Sequence, residues 1–393
     1  MQWTPTREAG LTRLDGFAPC AGGRYAASRN YDFGPDKRTN VSALSPWLRR
    51  RMVTEQEVLD VVLARHPLEK AEKFVQEVYW RAYFKGWMER RPEIWRRYRR
   101  DLKAAAEMLE ANAGLRTAYT GAVEGRTGID GFDDWAKELA ATGWLHNHAR
   151  MWFASIWIFT LRLPWVLGAD FFLQHLLDAD AASNTLSWRW VGGLHTRGKT
   201  YLARADNIER YTDGRFRPTG LSLIADPLVE AENPPAAPAP VGDEMPEGKY
   251  LLLLTDDDMT PEMPHRGDAL IMTADDRRAL GAPAAASAEF QAGAMSDLSA
   301  RLGGVDHVEA ADWAETLVAR AEVAGVSDIV TPYPPVGWSA DRIAAAEPAL
   351  KEAGVTVHRV MRDYDRAAWP YAHKGFFALK KRIPKLIGQP LLL

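Results

Sequence analysis

Through most of the first 190 residues, apolar positions recur every three or four residues, the spacing of one helix face. Phe74, Val78 and Tyr79 carry that rhythm through the segment from Pro67 to Tyr83. Ser45 followed by Pro46 predicts a helix start, because proline is tolerated in the first turn. Thr54 with Glu57 three residues on predicts a capping box and a second start. The basic run at 85–103, with WRRYRRDLK at its centre, reads as the solvated face of a further helix. Residues 104–142 predict a helix, a turn in TGAVEGRTGIDG and another helix ending before Gly143. The apolar run Met151 to Leu161 is too short to span a bilayer and predicts a buried core helix. Residues 191–230 read as loop broken by one short helix.

Beyond residue 250 the pattern changes. Tyr250–Thr255, Ala269–Thr273, Ser327–Thr331 and Val355–Val360 are short apolar runs of strand type. AETLVARAEVAG and ADRIAAAEPALKEAG between them are helical, and each closes on a glycine. Strands alternating with helices predict a doubly wound parallel sheet. The two patterns are separated by Asn233 to Lys249, which holds five prolines and no periodicity. The expected architecture is therefore α plus α/β: a helical domain over 1–232, a Pro/Ala-rich linker over 233–249 and a Rossmann-like domain over 250–393.

Charge supports two units. Residues 1–230 carry 33 Lys+Arg against 28 Asp+Glu, and residues 231–393 carry 16 against 24. Twelve of the fifteen tryptophans precede residue 231. The single cysteine, Cys20, excludes an internal disulfide framework and fits a reducing compartment. Met1 to Gly10 lacks the apolar stretch of a signal peptide. These features predict a cytoplasmic protein with no membrane segment.

Candidate chemistry concentrates between Gly143 and Trp190. Six tryptophans share that stretch with Asn147, Arg150, Asp178, Asp180 and Asn184. Polar groups in so apolar a segment need each other or a polar ligand. Asn147, Arg150 and Met151 stand at helical spacing, as do Glu77, Trp80 and Arg81 upstream. No HExxH or HxxxH pattern supports a metal site, and no metal is expected. No G-x-G-x-x-G follows a predicted strand, so any dinucleotide must be held by side chains and helix N-termini. Ser42 and Ser45 would serve a pyrophosphate there.

Taken together, NVSALSPWL, FVQEVYWRAYF, GWLHNHARM and LLDADAASNTLSWRW, in this order and at these separations, resemble the flavin-binding helical domain of the DNA photolyase/cryptochrome family. The opening PTREAGLTRLDGF, with Tyr25 and Arg29, is similar to the start of that domain, so the resemblance covers roughly residues 5–217. It implies FAD in a helical cavity, with Tyr25, Ser42, Leu44 and Ser45 near its phosphates and ribityl chain. Phe74 stands where a flavin-lining aromatic is common. Arg81, Asn147 and Arg150 stand at cofactor-facing positions. Asp178 and Asp180 match the carboxylates of the flavin edge and ribose region, and Asn184 the residue facing N5. Val41 stands where the family usually has threonine.

The resemblance extends to a substrate pocket. Glu77, Trp80, Asn147, Met151 and Trp190 match the lesion pocket of cyclobutane-dimer enzymes. Trp188 and Trp165 match two inner members of a tryptophan electron-transfer chain. No tryptophan stands at the outer position, for which Trp152 and Trp157 are candidates. The implied function is light-driven repair of pyrimidine dimers in DNA by a monomeric photolyase-like lyase. The alternative is a cryptochrome-like blue-light receptor signalling to a protein partner. The family places its α/β antenna domain before the helical one; here the order is reversed. A second, antenna chromophore is left unassigned. The tail GFFALKKRIP is similar to the sequence closing the family's antenna domain.

Overall fold

The computed structural model describes residues 3–264, 268–273, 280 and 283–388. Twelve helices come first: α1 (Arg7–Phe17), α2 (Gly23–Ser28), α3 (Ser45–Arg49), α4 (Glu55–Leu63), α5 (Leu68–Glu89), α6 (Glu93–Ala111), α7 (Ala113–Val123), α8 (Phe132–Thr142), α9 (Asn147–Ser155), α10 (Trp165–His175), α11 (Ala181–Val191) and α12 (Ala205–Tyr211). The capping box opening α4 is formed in both directions by Thr54 and Glu57. Helix α8 stops at Gly143, whose φ of 67° is left-handed. Helix α6 buries Ile94, Trp95, Tyr98, Leu102, Ala105 and Leu109, and leaves Arg96 and Arg100 in solvent. The apolar run after Met151 is buried as expected, but α9 gives way to a π-helical turn over Ile156–Thr160.

All described strands follow residue 250. They are β1 (Leu251–Leu254), β2 (Ala269–Met272), β3 (His307–Val308), β4 (Asp328–Pro332) and β5 (Thr356–Val360), and they form one parallel sheet in the order β3-β2-β1-β4-β5. Four of these match the apolar runs. Strand β3 has no such signal: it is two residues long, and His307 is exposed. Helices α13 (Ala285–Arg301), α14 (Trp313–Ala324) and α15 (Trp338–Glu352) connect the strands. The chain reverses sheet direction between β1 and β4, so the crevice where ligands usually enter such sheets opens there.

In this molecule that crevice meets the helices. The run Arg49–Arg51 faces the run Asp256–Asp258 that follows β1. Arg49 pairs with Asp256 at 3.4 Å and Asp257 at 2.8 Å. Arg51 pairs with Glu55 at 3.2 Å, Asp258 at 3.4 Å and Asp365 at 2.5 Å. All three arginines are buried. The proline-rich stretch is also tied down. The backbone N–H of Ala237 donates to Arg90 O, and that of Asp243 to Arg359 O.

After β5 the chain leaves the sheet and returns to α5. It forms α16 (Asp363–Ala368), a 3-10 turn over Trp369–Tyr371, α17 (Phe377–Lys380) and α18 (Ile383–Ile387). Trp369 is fully buried. It lies so close to Gly86 that a Cβ there would stand 2.8 Å from the indole.

Candidate functional site

The candidate site lies where α3, α5, α9 and the start of α11 converge. Asp180 is the N-cap of α11 and accepts from Ser183 N at 2.6 Å. Two residues earlier, Asp178 takes a two-pronged pair from Arg150 on α9, at 3.1 Å and 2.9 Å. Burial pushes the Asp178 carboxyl up. The Arg150 guanidinium and its hydrogen bonds more than offset that, with Ser45 and Arg81 adding to them, and the group ends below the usual carboxylate range. Burial likewise opposes ionisation of Asp180, and Lys85, Arg81 and Arg49 together hold it well below that range.

Ser42, Leu44 and Ser45 sit around the entrance to α3. The helix is only five residues long, and Ser45 is its first residue rather than its cap. Its hydroxyl accepts from Trp144 Nε1 at 3.0 Å. The backbone carbonyl of Ser42 accepts from Arg13 Nε at 2.5 Å. Leu44 is buried. Tyr25 and Phe74 are also buried and meet edge to face, with centroids 5.2 Å apart. Asn184 donates from Nδ2 to Ala169 O at 2.9 Å.

The remaining polar groups bear on whether the site's chemistry suits FAD. Arg81 Nε and Nη2 and Lys85 Nζ are buried without a hydrogen-bond acceptor. Each has only a longer ionic contact, Arg81 with Glu55 at 3.9 Å and Lys85 with Asp180 at 3.8 Å. Unanswered buried donors cost about 1–3 kcal/mol each. Such donors beside paired carboxylates suit an acceptor-rich, anionic ligand, and FAD is of that chemistry. Lys85 and Arg49 were not among the residues expected from sequence. Lys85 carries a signal, standing one turn after Arg81 on the same face of α5. Arg49 does not, because its acidic partners lie some 200 residues away.

One turn along α5 and α9, the expected pocket residues occupy the rim. Arg29 donates to Glu77 at 2.5 Å. Burial raises the Glu77 carboxyl while Arg29 and Lys73 oppose, and the net direction is upward. The side chain keeps 35% of its surface exposed, which moderates the effect. Asn147 is exposed at the start of α9, and Met151 is half-buried one turn on. Trp190 stacks on Tyr201 at 5.7 Å. Trp80 lies flat against Phe376 of the tail, with centroids 3.9 Å apart and planes 13° from parallel. That contact covers one face of the indole.

His146 and His148 are scaffold groups. Nδ1–H of His148 donates to Asn30 O, leaving Nε2 to accept from Tyr201 Oη. Nε2–H of His146 donates to Arg29 O, and its Nδ1 accepts from His148 N. Burial pushes His146 down to about 4, so both geometry and environment favour the neutral ring. No group of three or more His, Cys, Asp or Glu side chains placed to hold a metal occurs among the described residues.

The tryptophans expected to carry electrons have separate neighbourhoods. Trp188 meets Trp157 edge-on at 6.2 Å, and also Phe172 at 5.2 Å. Trp165 meets Tyr98 at 5.7 Å and donates to Glu230. Trp157 therefore continues from Trp188, whereas Trp152 stacks on Trp135 and His148.

A buried cradle of carboxylates and cations among helices suits an anionic cofactor held by side chains rather than by a glycine-rich loop. Comparison agrees. Residues 74–215 match the family model described as the FAD binding domain of DNA photolyase. A deoxyribodipyrimidine photo-lyase of Thermus thermophilus is 34% identical over 204 residues, covering 50% of this chain and 45% of that protein. One from Streptomyces griseus is 32% identical over 198 residues, covering 46% and 41%. Cryptochrome-1 of Arabidopsis thaliana is 37% identical over 97 residues, covering 25% and 14%. A crystal structure of a bacterial class III photolyase from Agrobacterium tumefaciens aligns with TM-score 0.43 and 24% identity, over 53% of this chain and 45% of that one. These matches support a flavin-binding domain of the DNA photolyase/cryptochrome type within residues 74–215, and the chain spans about half the length or less of these relatives. Among the described residues no helix is long and apolar enough to cross a membrane.

Proposed function

We propose that this protein repairs cyclobutane pyrimidine dimers in DNA, driven by light. The observation that carries the reading is a one-turn offset on each of two helices, four residues on α5 and three on α9. Glu77 stands one turn before Arg81 on α5, and Asn147 one turn before Arg150 on α9. On this reading each helix would present a dimer-binding group beside a flavin-binding one. FAD, reduced and excited by blue or near-ultraviolet light, would supply the electron that splits the dimer. Arg81, Arg150, Asp178, Asp180 and Asn184 would hold its ring system and ribose. Tyr25, Ser42, Leu44, Ser45 and Phe74 would line the rest of its path.

The chain's own contribution is binding and orientation. Glu77, with its carboxyl shifted toward protonation, would donate to a pyrimidine carbonyl, and Asn147 would hold the adjacent one. Met151 and Trp190 would pack on the flipped-out bases. Trp80, half-buried and stacked on Phe376, would meet a base with what remains of its surface. Trp165 and Trp188 would restore the reduced cofactor by relaying electrons. We also propose the division into 1–232, 233–249 and 250–393, a monomeric state and a cytoplasmic location.

The deciding measurement is loss of dimers from irradiated oligonucleotide under illumination, with FAD-loaded protein reduced beforehand. The native chain should clear the dimers. Glu77→Ala should lower the rate by about 10- to 100-fold, the range expected for losing one positioned donor, with flavin content unchanged. Absence of repair by the loaded, reduced native chain would reject this function. One observation favours a second reading, a blue-light receptor: the tail lies on Trp80, so light chemistry at the flavin could be communicated to that segment instead of to a base.

A further inference from the structure

The C-terminal half is acidic, but its last described segment is not. Between Arg366 and Gly388 there are six Lys or Arg residues and no Asp or Glu. The segment is held rigidly on α5. Trp369 is buried against Gly86, Tyr83 Oη donates to Lys374 O at 2.9 Å, Arg90 donates to Pro370 O at 3.0 Å and Arg91 to His373 O at 2.9 Å. Phe376, stacked on Trp80, brings it to the edge of the candidate pocket. Its opposite face is basic. Arg366, Lys374, Lys381, Arg382 and Lys385 are all exposed. Phe377, next to the buried Phe376, is 72% exposed. Arg366, Arg382 and Lys385 border a cavity of about 260 Å³ over Tyr371, with the Arg382 guanidinium 5.2 Å from the tyrosine ring.

We infer that the segment 366–388 is a nucleic-acid docking surface, whose cations take backbone phosphates and whose exposed Phe377 packs on a base or sugar beside the pocket. Fixed cations carry a phosphate backbone at little ordering cost, because the hydrogen bonds to α5 have already immobilised the chain. An exposed aromatic among such cations is the combination that stacks on unpaired bases. The pocket at Trp80 would receive a base from the same strand. The inference rests on the DNA-directed reading above and assigns to this chain a contact surface supplied by its C-terminal segment.

The test uses FAD-loaded full-length chain in the dark, with undamaged single-stranded and duplex oligonucleotides, so that repair plays no part. Fluorescence anisotropy across a salt series gives affinity and salt slope. The triple variant Lys381→Ala/Arg382→Ala/Lys385→Ala should bind about tenfold more weakly near 100 mM salt, with a slope shallower by about 2 to 3. Phe377→Ala should weaken single-strand binding more than duplex binding. Arg320→Ala/Lys351→Ala, which removes a half-buried charge from α14 and an exposed one from α15, should leave both quantities near native. Native affinity and slope in the triple variant would overturn the proposal. So would a triple variant that loses only its binding to phosphatidylserine vesicles. If the triple variant binds DNA as the native chain does and the native chain repairs dimers, the surface is rejected and the repair reading stands. If the triple variant loses DNA and the native chain shows no repair, the surface stands and the repair reading is rejected.

Discussion

At the scale of single residues, the site depends on charges removed from water. Arg150 and Asp178 form a two-pronged pair whose carboxylate side is nearly dry. Breaking such a pair from one side strands the other charge, at a cost of about 3–5 kcal/mol. Asp178→Asn should fall at the low end, because Arg150 keeps 23% of its side chain exposed. Thermal melts and bound-flavin absorbance should both drop. The pH dependence has a definite sign. The native pair holds the Asp178 pKa below its unfolded value, so its stabilisation is full above about pH 4 and is lost as pH falls through the native pKa. An acid titration of stability should therefore be flatter for Asp178→Asn than for the native chain below pH 4. At Lys85 the balance runs the other way, and the charged form is disfavoured. Burial lowers its pKa, and only Asp180 and Glu55 resist. Sequence showed Arg150, Asp178 and Asp180 as polar groups in an apolar stretch, and Arg81 as a helical neighbour of Glu77. It did not show that Lys85 and Arg49 join them, since a lysine or arginine in a helix is usually solvated.

At the scale of elements, close packing limits what the helices tolerate. A Cβ at Gly168 on α10 would stand 2.3 Å from Trp188 Cη2 and 2.8 Å from Trp157 Cε2. Two buried indoles cannot both yield, so Gly168→Ala should destabilise by about 1–3 kcal/mol. A denaturant titration should show this without a change of slope. The junction of α5 with the loop after β4 holds Glu89, which accepts from Val336 N at 2.5 Å and from Tyr333 Oη at 2.9 Å. Burial raises its carboxyl to about 7. A raised carboxylate favours the folded state most below its unfolded pKa near 4. That contribution disappears as pH rises through about 7. Between pH 5 and 8 it should remove on the order of 1–2 kcal/mol, discounted because the residue is not fully enclosed. Glu89→Gln keeps the hydrogen-bonding shape and should abolish that component of the pH profile.

At the scale of the whole molecule, the helical and sheet regions share one ionic seam. Arg51 stands among Glu55, Asp258 and Asp365, all nearly excluded from solvent. Arg51→Ala should cost about 3–5 kcal/mol, because three carboxylates lose their shared cation. Added salt should rescue little of it, since buried charges are poorly screened. Limited proteolysis between 212 and 250 should accelerate in this variant. The seam also bears on the reversed order of the two regions. The end of the sheet where a ligand would enter is occupied by Arg49 and Lys85 beside Asp256 and Asp257, with Trp338 and Gly337 closing the other side.

Local periodicity determined a good deal on its own: most helices up to residue 211 (α2, in a turn-rich stretch, is an exception), four of the five strands, the capping box at Thr54 and the glycine stop at 143. These depend on contacts within a few residues, and so they are written in short windows. Matching motifs in register likewise carried the resemblance within the stretch that the family model matches, because the spacing of Glu77 and Arg81, or Asn147 and Arg150, is a property of one helix. Pairings across long separations were decided only by folding. Consecutive arginines at 49–51 give no local sign of the aspartates 256–258 that meet them. Trp80 looks open to a base until Phe376, almost 300 residues later, lies on it. The basic tail shows its charge in the sequence, but only its packing on α5 reveals that the cations and Phe377 share the outer face. Burial and charge compensation are summed over the whole chain, and no local window contains that sum.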